Sequence, residues 1–280
     1  MLAALVSGLG GNKLLTRVAQ RDLQAFFGMR KDGRSAASVN REIENARAVW
    51  RYADSNRYDI GEMPDWKLMR LKVPQRPPRE LSFEEEDRLF AALRDDIKDA
   101  VDFILKSGWR RNEVLKLRWS DCDLVNRVAR TKIKGGDIVN RPLTDGLATI
   151  IKRQPKVCAF VFTYVCQKSR DKRRKGERYP LSSTSLRKPF AEALAAAGIE
   201  EFRVHDLRHT RGTRIVRKTG SLAAAKEALK HRSINATLRY AHVLDEDTRR
   251  ALDESDSRNS HDEPAKVGQI PAEIRGSGAA

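Results

Sequence analysis

The segment Lys72-Val-Pro-Gln-Arg-Pro-Pro-Arg79 constrains this chain more than any other. Each proline fixes its own φ and lacks an amide donor, so neither a helix nor an interior strand can run through positions 74 to 78. The chain must fold as parts joined there. A length of 280 residues allows two domains, each with its own core. We read residues 1–74 as one domain, 75–80 as a proline-rich linker, 81–252 as a second domain and 253–280 as a flexible tail. The tail assignment rests on a shift to Ser, Asn, Gly, Ala and Pro.

Ahead of the linker, Val39, Ile43, Ala46, Trp50 and Ala53 recur at steps of four, three, four and three. That spacing predicts one apolar helical stripe, with Arg41, Glu42, Glu44, Arg47 and Arg51 off it. Leu14 to Phe27 carries a weaker helical pattern, so the first unit reads as all-helical. The apolar run Leu2 to Leu9 is too short to span a bilayer and lacks the positive flank of a signal peptide. A cytoplasmic protein without membrane association is expected.

Beyond the linker, Ser82 and Glu85 form a capping box that opens a helix with Phe90 and Leu93 on its apolar side. A second helix over Ile97 to Lys106 should stop at Ser107-Gly108, and a third should follow Arg110 with Val114, Leu115 and Leu117. Val128–Ile133 and Ile138–Pro142 read as two short strands around the turn Gly135-Gly136-Asp137. Phe160-Val-Phe-Thr163 reads as a third strand. The run Lys168 to Arg178, with seven basic residues, reads as a loop, and the chain from Ser183 onward as mostly helical. The fold class is therefore mainly α with a small antiparallel β-sheet.

Charge narrows the partner. Lys and Arg number 55 against 38 Asp and Glu, a net charge of +17. Nucleic acid fits this bias best, because each Lys or Arg contact to a phosphate releases condensed counterions. A basic protein that binds nothing specific is the plainer alternative on charge alone. Cys122, Cys158 and Cys166 form no CxxC pair, so neither a disulfide framework nor a zinc site is expected.

Three segments carry chemistry. In Val204-His-Asp-Leu-Arg-His-Thr210, His205 and Arg208 share a helix face and could serve one phosphate oxygen together. The His205/His209 spacing invites a metal reading, but Arg208 would place a fixed cation on the same face and no third ligand is evident. A helix with hydrogen-bonded histidines is the plain alternative, and His209 and Asp206 read as helix-stabilising neighbours. In Leu229 to Val243, Tyr240 lies nine residues after His231. A lone tyrosine is usually a packing residue; as a nucleophile it needs cationic neighbours. In Ser107-Gly-Trp-Arg-Arg-Asn-Glu113, Glu113 lies one turn after Arg110 and could hold its guanidinium.

The ordered combination Gly108-Trp-Arg-Arg-Asn-Glu113, Lys132 in a hairpin, His205-Asp-Leu-Arg208, His231 and Tyr240 resembles the tyrosine recombinase, or phage integrase, family. Leu117-Arg-Trp-Ser-Asp121, Asp206-Leu-Arg-His-Thr210 and Thr237-Leu-Arg-Tyr-Ala-His242 resemble its flanking words over about Arg79 to Leu252. Ser38-Val-Asn-Arg-Glu42 is similar to the third-helix region of its core-binding domain.

The resemblance implies a SAM-like, core-binding helical bundle followed by a tyrosine-recombinase catalytic domain, the two closing as a C-shaped clamp on double-stranded DNA. It implies a site-specific recombinase that cuts and rejoins strands through a 3′-phosphotyrosine, for integration or excision of phage or mobile-element DNA, with no cofactor or metal. In it, Arg110 and Arg208 grip the scissile phosphate and Tyr240 attacks phosphorus. Lys132 protonates the departing 5′-oxygen, His205 assists proton transfer and His231 bonds the phosphate, with Glu113 as structural support. Lys134 competes with Lys132 for the hairpin role; Lys132 is preferred because it follows Thr131 within the strand pattern.

A homotetramer on paired DNA sites is implied, with accessory DNA-bending or directionality proteins as partners, and a C-terminal tail that docks on a neighbouring subunit. Against the family pattern the N-terminal unit is short, and no separate arm-site DNA-binding domain is expected ahead of it. The usual Leu-Gly-His reads Leu229-Lys230-His231 here, which keeps His231 in register while the glycine is lost. The rivals are a DNA-binding relative that has lost catalysis and a type IB topoisomerase.

Overall fold

The computed structural model describes residues 2–74, 79–133, 136–169 and 172–258. Four of the six linker positions, Lys134, Gly135 of the hairpin turn and the tail from 259 onward lie outside the described residues. The chain divides into two compact units, Met1–Arg76 and Pro77–Ala280, each with its own core.

The first unit holds α1 (Leu2–Leu9), α2 (Gln20–Lys31) and α3 (Ala36–Ser55). The predicted stripe Val39, Ile43, Ala46, Trp50 and Ala53 is buried, and it packs with Leu23, Phe26 and Phe27 of α2. Gly8 in α1 lets Phe26 approach: a Cβ there would lie 2.3 Å from the ring. Glu42 departs from expectation and is buried. Its carboxylate accepts from Arg30 Nε at 2.8 Å and from Arg34 Nη1 at 2.9 Å, so the charge that burial would penalise is paired. Asn40 clasps the backbone of Leu71 with two 2.8 Å hydrogen bonds, tying the end of the unit to α3.

The second unit is built around α5 (Asp95–Ser107), preceded by α4 (Phe83–Ala92) with its Ser82–Glu85 capping box. Ile97, Val101, Phe103 and Ile104 are solvent-inaccessible, so α5 serves as the central pillar. It ends at Gly108, whose φ of 63° closes the helix in the left-handed region. After α6 (Arg111–Leu115) come β1 (Cys122–Asp123), β2 (Val128–Lys132) and β3 (Ile138–Pro142), an antiparallel sheet in the order β1-β2-β3. Lys132 pairs with Ile138 and Val128 with Pro142.

There follow α7 (Asp145–Lys152), β4 (Thr163–Val165), β5 (Arg178–Pro180), α8 (Ser183–Ala196), α9 (Val204–Thr219), α10 (Leu222–Leu229) and α11 (Ala241–Arg258). The third expected strand is displaced. Phe160 makes only an isolated bridge to Arg118, Val161 and Phe162 sink into the core, and Thr163–Val165 pairs with Arg178–Pro180. The described residues of the basic run thus lie between the strands of a second hairpin, except Arg178, which belongs to β5 itself. Residues 253–258, expected as the start of the tail, are instead helical, because α11 continues through Arg258. No described helix is long and apolar enough to cross a membrane.

Candidate active site

The site begins where α5 stops. A Cβ at Gly108 would meet Leu229 Cδ2 at 2.6 Å, so glycine there permits both the sharp turn and the approach of α10. Two residues later Arg110 caps α6, and Glu113 folds back on it. The carboxylate accepts from the Arg110 backbone amide at 3.1 Å and from its Nη1 at 2.9 Å. The other side of Glu113 is held by Arg141 of β3, whose Nη2 donates at 2.9 Å and whose Nε donates to Thr131 at 3.1 Å. Arg141 is 1% exposed and lies over the Trp109 ring at 5.1 Å. The ion pair offsets the cost of burying it. Its role escaped sequence reading, although Val139 and Arg141 share one face of β3 and that face is turned inward.

Helix α9 supplies the next group. Arg208, 3% exposed, donates to the carbonyl oxygens of Gly108 at 2.6 Å and Leu229 at 2.7 Å. Anchored on neutral carbonyls, this guanidinium keeps its charge for an external anion. Burial, with the like charge of Arg110 beside it, pushes it down to about 10. The pair therefore favours an anion that relieves the repulsion.

His231 lies after α10 and Tyr240 just before α11. Lys230, at the glycine position of the family word, adopts φ 51° to make the turn and pairs with Glu227. A non-glycine residue costs about 1 kcal/mol or more in this region. Lys230→Gly is therefore expected to raise stability by about 0.5–1 kcal/mol in denaturant titration; unchanged or lower stability would count against that strain. His231 Nδ1 shares a 2.8 Å hydrogen bond with buried Thr237 Oγ1, and its ring lies parallel to Tyr240 at 6.4 Å. Arg232 pairs with Asp137, tying the β2–β3 turn to the His231 segment.

Tyr240 is 0% exposed. Its ring fills the space over Gly212, where a Cβ would lie 2.5 Å from Tyr240 Cζ. Its hydroxyl lies 2.9 Å from His209 Nδ1, and Arg239 Nη1 donates to His209 Nε2 at 3.3 Å. His209 is more than the helix-stabilising neighbour expected from sequence: it touches the tyrosine oxygen, and both its ring nitrogens are engaged. Among the described residues no His, Cys, Asp and Glu group is arranged to hold a metal ion.

Burial dominates the protonation states. It pushes His209 down to about 3 and His231 down to about 4, with nearby cations acting in the same sense. His205 is lowered by burial and then by Arg208. The phenol is raised by burial, against the opposing pull of Arg208 and Arg239. Near neutral pH the three imidazoles are uncharged. For a histidine lowered in the folded state, the unfolded chain binds more protons below its ordinary value near 6.5, so stability is complete above that pH and lost as pH falls toward the folded value. Thermal unfolding midpoints should therefore fall between pH 7 and pH 5, and by less in His209→Asn. An identical fall in both proteins would refute the contribution of His209.

An open cleft of about 780 Å³ is lined by Arg110, Glu113, Thr131, Lys132 and His205. Arg208 is close enough to lower His205, and it is bonded to the carbonyl of Leu229, two residues before His231. The sequence-predicted residues thus converge, except that Tyr240 is enclosed rather than open to the cleft. The convergence offers cations and neutral imidazoles to a single anionic group.

Comparison with known proteins identifies the family. The phage integrase family matches residues 79–247. The integrase of Salmonella phage P22 is 27% identical over 190 residues, which are 64% of this chain and 49% of that protein. The tyrosine recombinase XerD of Lacticaseibacillus casei is 27% identical over 242 residues, covering 79% of this chain and 77% of that one. The chain thus spans about half the length of the phage P22 relative. Among solved structures, the Tn1549 transposon integrase in complex with transposon right end DNA superposes with a TM-score of 0.67 at 17% identity, covering 91% of this chain and 92% of that one. The XerH site-specific recombinase bound to its difH substrate gives 0.64 at 21% identity, covering 86% and 72%. These structural likenesses establish the fold, and the match over most of the second unit establishes kinship: this chain is a member of the phage integrase family of tyrosine recombinases.

Proposed function

We propose that this protein cleaves and rejoins double-stranded DNA at specific sites through a covalent bond between Tyr240 and a 3′-phosphate. The observation that carries the proposal is the pinning of Arg208 by two backbone carbonyls beside Arg110, with the phenol of Tyr240 packed on the same helix. The two guanidinium groups hold the non-bridging oxygens of one phosphate and stabilise the charge that grows at the pentavalent transition state. His231 donates to the same phosphate.

In the chemical step the Tyr240 oxygen bonds to phosphorus and the bond from phosphorus to the 5′-oxygen breaks. Lys132, at the end of β2, gives its proton to the departing oxygen, and the neutral imidazole of His205 takes the phenol proton. The phosphodiester energy is kept in the tyrosine linkage, so a second 5′-hydroxyl can reverse the step. Glu113 and Arg141 hold Arg110 in place.

The net charge of +17 and the DNA named in the solved relatives support DNA as the partner. A lambda integrase dimer on its core site supports action as a multimer, which we take to be a homotetramer on paired sites in the cytoplasm. The phage and transposon relatives support integration or excision of a mobile element. We assign the first unit as the core-binding domain. The decisive test is to trap the protein on a nicked duplex carrying its attachment site and map the modified residue. Adduct at Tyr240 is expected; adduct elsewhere, or none, would overturn the assignment.

A further inference from the structure

We infer that His209 is a catalytic residue of this site, a fixed hydrogen-bond donor that stabilises the phenolate form of Tyr240 and is held in its donating tautomer by Arg239. The inference rests on the reading of Tyr240 as nucleophile.

The argument is one of donors and acceptors. A guanidinium has only N–H groups to offer. Arg239 Nη1 faces His209 Nε2 at 3.3 Å, so Nε2 must carry the lone pair. A neutral imidazole with a lone pair at Nε2 has its proton at Nδ1. His209 is neutral in this setting, because burial first and then the charges of His205, Arg239 and Arg208 hold it down to about 3. Nδ1–H therefore donates to the Tyr240 oxygen, 2.9 Å away. In this tautomer His209 cannot also accept the phenol proton.

Such a bond strengthens as negative charge grows on the oxygen, and it is made inside a site where water is excluded. It opposes the upward push that burial exerts on this phenol. The geometry is set by α9 itself. His209 and Gly212 are three residues apart on one face, so the glycine seats the ring while the histidine meets its oxygen. The charged and titratable groups around the phenol are Arg208, His205 and His209 from α9, His231 from the segment after α10, and Arg239 from its own turn. The two cations, Arg208 and Arg239, favour the phenolate by charge, but among the described residues His209 is the one bonded to its oxygen.

The test follows the phenol directly and needs no DNA. The full chain is labelled with 3-fluorotyrosine, and the fluorine signal of residue 240 is assigned by its loss in Tyr240→Phe. Its titration midpoint is compared in wild type, His209→Ala and His209→Asn. Asparagine keeps an N–H near the Nδ1 position. The alanine variant should titrate about one unit or more higher, which is tenfold less phenolate at any pH below the midpoint. The asparagine variant should recover most of the shift. An unchanged or lower midpoint in the alanine variant would overturn the role of His209, as would an asparagine variant displaced as far as alanine. A DNA adduct that persisted in Tyr240→Phe would instead overturn the functional reading itself.

Discussion

Tyr240→Phe should leave less than about one-thousandth of the wild-type covalent attachment to DNA, because the substitution removes the attacking oxygen and little else. The ring would still fill the space over Gly212 and still lie parallel to His231. What folding loses is the hydrogen bond from His209, leaving a buried N–H without its acceptor at a cost of about 1–3 kcal/mol. DNA affinity should change little, since the phenol is enclosed and carries no positive charge to the phosphate. Denaturing gels of a nicked substrate report the attachment, and gel shifts report the affinity. An adduct of wild-type yield in the phenylalanine variant would refute Tyr240 as nucleophile.

Arg208→Ala should slow cleavage by on the order of 100- to 1000-fold while weakening DNA binding about tenfold or less. The asymmetry follows from when the charge is needed. One phosphate contact among many contributes modestly to binding, whereas the charge that develops during attack is met by few groups. Arg208→Lys should recover little, because an ammonium cannot bond the Gly108 and Leu229 carbonyls and present a planar fork to the phosphate together. Single-turnover cleavage at saturating protein separates the two effects. Equal losses in affinity and cleavage would show that Arg208 serves binding alone.

Much of this architecture was legible from local pattern. The α3 stripe, the Ser82 capping box, the stop at Gly108 and the β2–β3 pair each follow from periodicity or from one residue's backbone preference. The errors came where distant partners decide the outcome. Thr163–Val165 forms a strand because Arg178–Pro180 lies beside it, and no local feature announces that pairing. Glu42 is buried because Arg30 and Arg34 surround it. In the site, charge-bearing residues stood out by type and order, but their supports did not. Arg141 resembles any strand arginine until Glu113 is placed against it, and His209 resembles a helix neighbour until Tyr240 arrives from 31 positions away.

The absent side chain at position 212 has a consequence for how this protein can fail. Because the aromatic ring occupies that volume, the group proposed to do the chemistry is also a packing element joining Val216, Ala225, Leu229 and Val243. Small replacements such as Tyr240→Ala would open a hole and loosen the end of the chain, so their inactivity would say nothing about attack on phosphorus. A methyl group at 212 would do the reverse, evicting an intact phenol from its seat while every charged partner remained.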